Sequence, residues 1–255
     1  LVYHDPDPFD GRSKPLSAAM RVLLSNSDLA LACGLRPMSD LMRQGGAREV
    51  RYLPHSYDNV RFGTDWVPSD DRPYSATMIA NSIRRRVPPF YLPGGRRRAE
   101  LARKLTQLLG AKFALYGNGW RGLSSSLGPL PFSQQERVIR DSWVSVNWDH
   151  FDDISYYSSD RLPISLATGV VHVTSHHDGY EYLYSGCPGL YACRSVDEAV
   201  SCTEWLLSRP KSELLSEGLA ASTWVQTRFE ADVVYRRAVE MCMETLASIR
   251  SNRAP

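Results

Sequence analysis

The sequence predicts an α/β protein built from two doubly wound units that face a common cleft, and three observations support this. Short apolar runs of strand length alternate with amphipathic helical stretches, as is typical of parallel sheets with both faces covered. The alternation is interrupted at residues 66–73, a polar segment bounded by prolines, and then restarts. A length of 255 residues suits one large or two small domains.

The first unit, residues 1–66, is predicted to be short. An apolar strand at residues 1–3 runs into a polar turn that contains His4 and Asp5. The other predicted elements are helices at residues 15–24 and 36–43 and strands at residues 28–33 and 50–53. Gly45 and Gly46 are a typical signal for the end of the second helix. Because the chain starts within an apparent core strand, we expect this unit to be the C-terminal part of a larger Rossmann-like domain.

Residues 67–73 are predicted to be a linker and residues 74–230 a second Rossmann-like unit. Its predicted strands lie at residues 75–80, 112–116, 144–147, 170–174 and 190–192, and its clearest helices at residues 96–109 and 195–207. Ser133 and Ser195 are each followed three residues later by a glutamate, the spacing of a capping box. The chain is predicted to be helical from Lys211 to about residue 250, and we expect residues 231–255 to cross back to the first unit.

The stretch of residues 158–174 is the centre of the second unit. Ser158, Ser159 and Asp160 offer oxygens that could cap a short helix, and Gly169 is placed to end it before a buried strand. A helix N-terminus beside a sheet is suited to bind a phosphate or pyrophosphate. An ordinary capped helix of an α/β core explains the same residues, so both interpretations stay open.

Polar residues follow several of the predicted strands. Ligands of doubly wound sheets bind at the carboxyl ends of the strands, near the switch in strand order. The residues predicted at these ends are His4, Asp5, Asn81, Ser82, Gly117, Asn118, Asn147 and those from Ser158 to Arg161. We therefore expect these turns to share one binding site.

Composition narrows the class of protein. The formal net charge is +2, which gives no global electrostatic case for nucleic-acid binding. The five cysteines are odd in number and lack CxxC pairs, which favours a reduced, cytoplasmic location over a disulfide framework. No apolar run approaches the length of a membrane span.

The order of several motifs carries a family resemblance. Tyr116-Gly117-Asn118-Gly119-Trp120 is followed by a Pro-x-Ser-x-x-Glu helix start, by Asn147, and by Ser159-Asp160-Arg161 running to Gly169. This order resembles the nucleotide-sugar-binding domain of GT-B glycosyltransferases of the group-1 and spore-maturation-protein-like type. Earlier, "DLALACG" and "GGAREVRYLPHSYD" are similar to the end of the partner domain in that family.

The resemblance implies a hexosyltransferase-type enzyme that moves a sugar from a nucleoside diphosphate, such as a UDP-sugar, to a hydroxyl acceptor. It implies no metal and no cofactor; the acceptor class (glycan, protein or modified nucleic acid) and the oligomeric state stay open. By this resemblance, the turn that faces the donor diphosphate would be formed by Ser159, Asp160 and Arg161. Arg161 would neutralise the diphosphate leaving group. The remaining donor-binding residues implied are Asn81, Ser82, Gly117, Asn118, Trp120, Asn147 and Glu181.

The sequence departs from the family pattern at two positions, and the roles of its catalytic candidates stay open. The family's glutamates for the donor fall at Tyr156 and Ile164, so neither acidic contact carries over, and only Asp152 or Asp153 lies nearby. His4 and Asp5 are the catalytic candidates, His4 to stabilise charge or touch the acceptor and Asp5 as an orienting group or base. Both are equally compatible with a plain turn at a strand end, as Arg161 is with a surface arginine.

Other candidate chemistry is weaker. Asp5-Pro6-Asp7 imitates a DxD metal motif, but Pro6 and Pro8 favour a plain turn. His172, His176 and His177, with Asp178, also suggest a metal, but no cysteine or acidic ligand stands at the usual spacing. The arginine clusters at residues 84–86 and 96–98 are compatible with contact to a diphosphate, an acidic acceptor or a nucleic-acid backbone, and equally with a solvated loop and helix start. Arginines at a helix N-terminus oppose the helix dipole, which hints at an anionic partner for at least one cluster. Two alternative functions follow: a catalytically degenerate GT-B module that binds nucleic acid or acidic glycan, or a nucleotide-sugar epimerase.

Overall fold

The computed structural model describes residues 1–63, 69–88 and 90–251, and it contains two parallel sheets. The first has the order β1-β2-β3. Its strands are β1 (Val2–Asp5), β2 (Leu29–Ala32) and β3 (Val50–Tyr52), and its helices are α1 (Ala18–Ser25), α2 (Met38–Gln44) and α3 (Asn59–Phe62). The predicted linker at residues 67–73 begins at two residues, 67 and 68, that lie outside the described ranges.

The second sheet has six parallel strands in the order β6-β5-β4-β7-β8-β9. The strands are β4 (Tyr74–Ile79), β5 (Phe113–Tyr116), β6 (Ser126–Gly128), β7 (Ser142–Val146), β8 (Val171–Ser175) and β9 (Leu190–Cys193). The helices are α4 (Gly95–Leu109), α5 (Gln135–Arg140), α6 (Arg161–Ala167), α7 (Tyr180–Leu183), α8 (Val196–Ser208), α9 (Lys211–Phe229) and α10 (Ala231–Ser251), with 3-10 turns at Gly110–Lys112 and Phe132–Gln134. In chain order the strands run 3-2-1-4-5-6, the doubly wound order, whose switch point lies between β4 and β7.

Helices cover both faces of the second sheet, which explains why its central strands have no solvent-exposed side. On one face Leu101 and Leu105 of α4 pack with Val144 and the α8 residue Leu206. On the other face α6 and α9 pack against each other through a second buried cluster. All five residues of β7 and of β8 are buried. The predicted α/β fold with two parallel sheets is therefore confirmed.

The structure corrects two of the predicted helix caps. Ser133 lies in the 3-10 turn before α5, and α5 has no side-chain cap, because that turn occupies the position where a capping residue would stand. No side chain caps α6 either, since the Ser158 hydroxyl bonds the Tyr184 hydroxyl at 2.8 Å instead. The predicted stop is correct, because Gly169 has φ +74°. The Ser195 hydroxyl accepts from the Glu198 N–H at 3.1 Å, as predicted.

The last two helices link the two sheets. They are separated at Glu230, where the Tyr57 N–H donates to the Phe229 carbonyl and the Ala231 N–H donates to the Tyr57 carbonyl, both at 3.0 Å. Beyond this break, α10 buries an apolar cluster with β2. No helix in the described part of the chain, including these two, is long and apolar enough to cross a membrane.

The loop after β7 also joins the two sheets. Its apolar side chains Phe151, Ile154 and Tyr157 are buried in the core of the first sheet. Its backbone bonds the turn after β2, since the Leu35 N–H donates to the Ser155 carbonyl at 2.8 Å and the Ser155 N–H donates to the Arg36 carbonyl at 2.9 Å. Both walls of the cleft are consequently held by the same loop.

Candidate functional site

A cavity of about 320 Å³ lies between the two sheets, at the carboxyl ends of β4 and β7. This is the switch point of the second sheet, where doubly wound folds bind ligands. The first sheet contributes Asp7, Pro8 and Lys14; the second contributes Asn81, Ile83, Arg85, Leu92, Arg98, His150, Phe151, Tyr157, Ser159 and Arg161. Three of the predicted donor-binding residues, Asn81, Ser159 and Arg161, therefore line one space.

Arg161 is the first residue of α6, and its side chain is about one-third exposed. Its Nε donates to the Ile79 carbonyl at 2.7 Å, which directs the guanidinium across the end of β4. Its Nη1 lies 3.5 Å from the Asp160 carboxylate, a long contact for an ion pair. Arg161 also borders a neighbouring cavity of about 180 Å³, so its guanidinium lies between two ligand-sized spaces.

Arg98 is a second cation at the same cavity, and it is almost fully buried. Its guanidinium donates to two neutral acceptors, the carbonyls of Trp148 and Asn81. Burial, and then the positive charge of Arg161, lower its pKa. The guanidinium nevertheless stays charged at neutral pH, because free arginine is so basic. Two arginines thus converge on one cavity, which is an arrangement that attracts a multiply charged anion.

His150 lines the same cavity and remains neutral. Burial, followed by the charges of Arg98 and Arg161, lowers its pKa to about 3. Its Nε2 is buried and has no hydrogen-bond partner within the described residues. A neutral imidazole with a free nitrogen can hydrogen-bond a ligand without changing its charge.

A buried polar network supports this wall of the cavity. The Asn147 amide donates to the Asp149 carboxylate at 2.7 Å and lies 3.4 Å from the Ser159 hydroxyl. The other oxygen of Asp149 lies 3.2 Å from Nε2 of His177. The second ring nitrogen of His177, Nδ1, donates to the Ile154 carbonyl at 2.8 Å. Asn147 is thus a supporting residue, and it holds Ser159 beside Arg161.

The 180 Å³ cavity is formed by the turns after β4 and β5. Asn81, Gly117 and Asn118 meet there, with Gln135 opposite. The Asn81 side chain accepts from the Asn118 N–H at 2.8 Å. Gly117 has φ +126°, and a Cβ at this position would lie 2.1 Å from the Ala80 carbonyl oxygen. The glycine is therefore required where these two turns cross.

Five predicted donor-binding residues line neither cavity. Two of them adjoin residues that do: Asn147 supports Ser159, and the Asp160 carboxylate lies 3.5 Å from Arg161. The other three are Trp120, Ser82 and Glu181. Trp120 is only 5% exposed, packs in the core and donates its indole N–H to the Ala80 carbonyl at 2.6 Å, so it stabilises the turn instead of facing a ligand. Ser82 donates its backbone N–H to the Asn118 carbonyl and has a similar supporting position. Glu181 is exposed on α7 and accepts from the Gly179 N–H at 3.2 Å. Neither cavity includes these three side chains.

His4 and Asp5 lie at the end of β1, outside the 320 Å³ cavity. His4 borders a separate space of about 170 Å³ with Cys33 and His55, and burial lowers its pKa against the opposing charge of Asp5. Asp5 accepts from the Tyr3 hydroxyl at 2.8 Å and from the Asp7 N–H at 3.1 Å. Their catalytic roles stay predictions, and Asp7 is the carboxylate of this turn that reaches the larger cavity.

The positions where the family resemblance expects glutamates carry no acidic side chain. Ile164 is buried and apolar. Tyr156 has φ +59° and stacks on Tyr182. Asp152 is engaged elsewhere, by the Trp148 indole N–H at 2.8 Å and by Arg97 at 2.6 Å. Neither Tyr156 nor Ile164 lines the 320 Å³ or the 180 Å³ cavity.

The histidines that suggested a metal have other partners. His172 is fully buried with its Nδ1 3.1 Å from the Ser145 hydroxyl, and His177 faces Asp149. Within residues 1–63, 69–88 and 90–251, no group of three or more His, Cys, Asp or Glu side chains is placed to hold a metal ion.

Sequence reasoning missed Arg98 and His150. The arginine cluster at a helix start was a signal of an anionic partner, but only the structure distinguishes its three members. Arg97 pairs with Asp152 and Arg98 faces the cavity. The Arg96 guanidinium lies over the Tyr91 ring, 5.7 Å from the ring centroid, as in a cation–π contact. His150 follows a buried strand, a position that could have been recognised by the same strand-end rule as Asn147.

Comparisons with known proteins identify the fold. No protein-family model and no curated protein matches the sequence. Sucrose-phosphate synthase from Thermosynechococcus elongatus superposes with a TM-score of 0.61 at 12% identity, over 89% of this chain and 61% of that one. HepE from Anabaena, in complex with UDP and glucose, superposes with a TM-score of 0.66 at 13% identity, over 95% of this chain and 71% of that one. Trehalose-6-phosphate synthase OtsA superposes with a TM-score of 0.61 at 10% identity, over 94% of this chain and 66% of that one.

These neighbours are GT-B glycosyltransferases, and the chain has the GT-B glycosyltransferase fold that its motifs predict. It spans only 61% of the sucrose-phosphate synthase chain. That share agrees with the expectation that the N-terminal Rossmann-like domain is incomplete in this sequence. At these identities the likeness concerns the fold, and the activity has to be argued from the site.

Proposed function

We propose that the chain belongs to an enzyme that transfers a sugar from a nucleoside-diphosphate sugar, of the UDP-sugar type, to a hydroxyl acceptor. The observation that carries this proposal is the convergence of Arg98 and Arg161 on one cavity at the switch point of the second sheet. Complexes of HepE with UDP and with UDP-glucose support the choice of donor.

The two arginines account for the chemistry of the leaving group. Transfer of the sugar releases a nucleoside diphosphate, whose new negative charge must be stabilised as the glycosidic bond breaks. Arg98 contributes a fixed charge because its side chain is buried and bonded to two carbonyls. Arg161 is bonded at Nε to the Ile79 carbonyl, and its Nη1 has only a long contact of 3.5 Å with Asp160. Because two guanidinium groups already supply this charge, the proposed reaction requires no metal ion.

The two cavities suggest how the donor is placed. The diphosphate would lie at Arg161, the residue shared by both spaces, with Ser159 and the neutral His150 as hydrogen-bond partners. The nucleoside would occupy the 180 Å³ space beside Asn81, Gly117, Asn118 and Gln135, and the sugar would extend into the 320 Å³ cavity toward the first sheet.

The acceptor side is proposed at the end of β1. Asp7 lines the 320 Å³ cavity, with its carboxylate 3.6 Å from Lys14, and is the candidate base that the geometry adds to His4 and Asp5. A sugar-transfer assay of the variants Asp7→Asn and Asp5→Asn distinguishes which of the two carboxylates is the base. A loss of turnover with unchanged donor affinity is expected for the variant that removes the base.

Calorimetric titration of the chain with UDP, UDP-glucose, GDP and ADP tests the donor site. The variant Arg161→Gln should weaken diphosphate binding about ten- to hundredfold, the value of one or two hydrogen bonds to a charged group. Arg194→Gln is the matched control, because Arg194 lines a different cavity and should leave affinity unchanged. Binding by none of the nucleotides, or equal losses in both variants, would reject the donor site. Added EDTA should not change the affinity.

Product analysis separates the two alternatives. Donor binding without transfer or hydrolysis, across acceptors of several classes, would favour the degenerate binding module over an enzyme. A change of sugar configuration on the nucleotide without any acceptor would indicate the epimerase.

A further inference from the structure

A basic and apolar surface lies on the loop between β4 and α4. Its backbone forms a short hairpin, in which Arg84 pairs with Tyr91 as an isolated antiparallel bridge and the Arg85 N–H donates to the Phe90 carbonyl at 2.7 Å. We define the basic–apolar surface as Ile83, Arg84, Arg85, Arg86, Val87 and Phe90. It differs from the arginine cluster at residues 96–98, in which Arg97 forms an ion pair with Asp152 and Arg98 donates to backbone carbonyls.

The arginines of this surface are unpaired within the described part of the chain. None of Arg84, Arg85 and Arg86 forms an ion pair there, and no aspartate or glutamate occurs between Asn81 and Ala99. The nearest charged carboxylate in the adjoining cavity is Asp7, which is engaged by Lys14. The hairpin is therefore a local concentration of positive charge on a chain of net charge +2.

The three apolar members of this surface are exposed. Val87 is 67% exposed, Phe90 44% and Ile83 41%. Exposed aliphatic side chains such as Ile83 and Val87 add nothing to contacts with a phosphate backbone or an acidic glycan, whereas the Phe90 ring alone could also stack on a base. An anionic lipid bilayer uses both features, because its headgroups attract arginine and its acyl region accepts apolar side chains.

We propose that the basic–apolar surface docks the protein onto an anionic membrane surface. Arg84, Arg85 and Arg86 would contact the lipid phosphates, and Val87 and Phe90 would enter the interface between headgroups and acyl chains. Ile83 and Arg85 also line the 320 Å³ cavity, so the docked membrane lies at the mouth of the candidate site. The membrane contact does not depend on sugar transfer.

Sedimentation of the full chain with lipid vesicles tests the proposal. Vesicles of phosphatidylcholine with about 30% phosphatidylglycerol are compared with phosphatidylcholine alone at about 0.1 M salt, where surface charges still act over about 10 Å. Wild type should bind the anionic vesicles and not the neutral ones. The variant R84Q/R86Q should bind about thirtyfold more weakly, at about one kcal/mol for each arginine. The variant V87S/F90S should bind about tenfold more weakly.

Matched controls exclude general effects of charge or polarity. R21Q/R236Q removes two exposed arginines that form no ion pair in the described structure, and V22S/V239S removes two valines that are each 62% exposed. Both controls should bind within about twofold of wild type, and circular dichroism melts should show that all four variants are folded. A 30-nucleotide single strand serves as the competing anionic polymer.

Three results would overturn the proposal. The first is no binding of wild type to anionic vesicles, or equal binding to neutral ones. The second is that the hairpin variants bind no more weakly than their controls. The third is that the oligonucleotide binds through the hairpin arginines while the vesicles do not, which would assign the surface to a nucleic acid instead.

Discussion

The buried pair of Asp149 and His177 should make the stability of this protein depend on pH. Both side chains are about 1% exposed. The carboxylate lies 3.2 Å from His177 Nε2 and accepts from Asn147 at 2.7 Å. Burial opposes its ionisation, but the hydrogen bond and charge of His177, together with the charge of Arg98, outweigh this and lower the pKa of Asp149. Burial likewise opposes protonation of His177, but Asp149 outweighs it and raises the pKa of His177.

The signs of the two shifts define a pH window. The raised pKa of His177 contributes stability that is fully present below its ordinary value of 6.5 and is lost as the pH rises through the raised value. The lowered pKa of Asp149 contributes stability that is present above its ordinary value of 3.8 and is lost as the pH falls through the lowered value. The pair therefore stabilises the fold most strongly between these two ordinary pKa values.

Asp149→Asn removes the charge and keeps the size of the side chain. At about pH 5.5 it leaves a buried imidazolium and Arg98 without their carboxylate, and breaking a buried pair in this way costs about 3–5 kcal/mol. At a pH above the raised pKa of His177 the imidazole is uncharged, so there the variant should cost only about 1–3 kcal/mol, the value of a buried hydrogen bond.

Urea unfolding of wild type, Asp149→Asn, His177→Gln and the double variant at these two pH values measures both costs and their coupling. The double variant should be less destabilised than the sum of the single variants at the lower pH. If Asp149→Asn costs as much at the higher pH as at the lower one, the pair is uncharged or uncoupled throughout, and the predicted pH dependence is wrong.

The remaining predictions concern the turns and the cavity. Gly117→Ala should cost about 3 kcal/mol or more, because its Cβ would meet the Ala80 carbonyl, whereas Gly122→Ala, with nothing within 4 Å, should cost about 1 kcal/mol; thermal unfolding compares them, and equal costs would contradict the crossing of turns. Trp120→Phe should lose about 1–3 kcal/mol of stability and leave UDP affinity within about twofold, so a large loss of affinity with normal stability would return Trp120 to the donor site. Because the pKa of His150 is lowered to about 3, His150→Gln and wild type should show the same pH dependence of UDP affinity over roughly pH 5–8, and a step seen only in wild type would oppose this.

The sequence predicted much of the fold because its signals are local. The strand at residues 144–147 and the helix at residues 96–109 were recognisable from apolar runs and periodicity, and both agree with the structure to within two residues. The small strand β6 and the helix α7 were missed because they are only three and four residues long and carry too little pattern. The Ser133 cap was wrong because a 3-10 turn precedes α5, and such turns have no distinct spacing in a single sequence.

The doubly wound fold, the motif order of a GT-B domain and the glycine that ends α6 can all be predicted from the sequence alone. The folded structure selects the polar residues that form the site. It brought Asn81, Ser159 and Arg161 to one cavity, buried Trp120, and selected Arg98 from three adjacent arginines. The physical reason is that an element's conformation depends on its neighbours in the chain, whereas the direction and charge environment of a side chain depend on residues tens of positions away, such as Trp148 for Arg98.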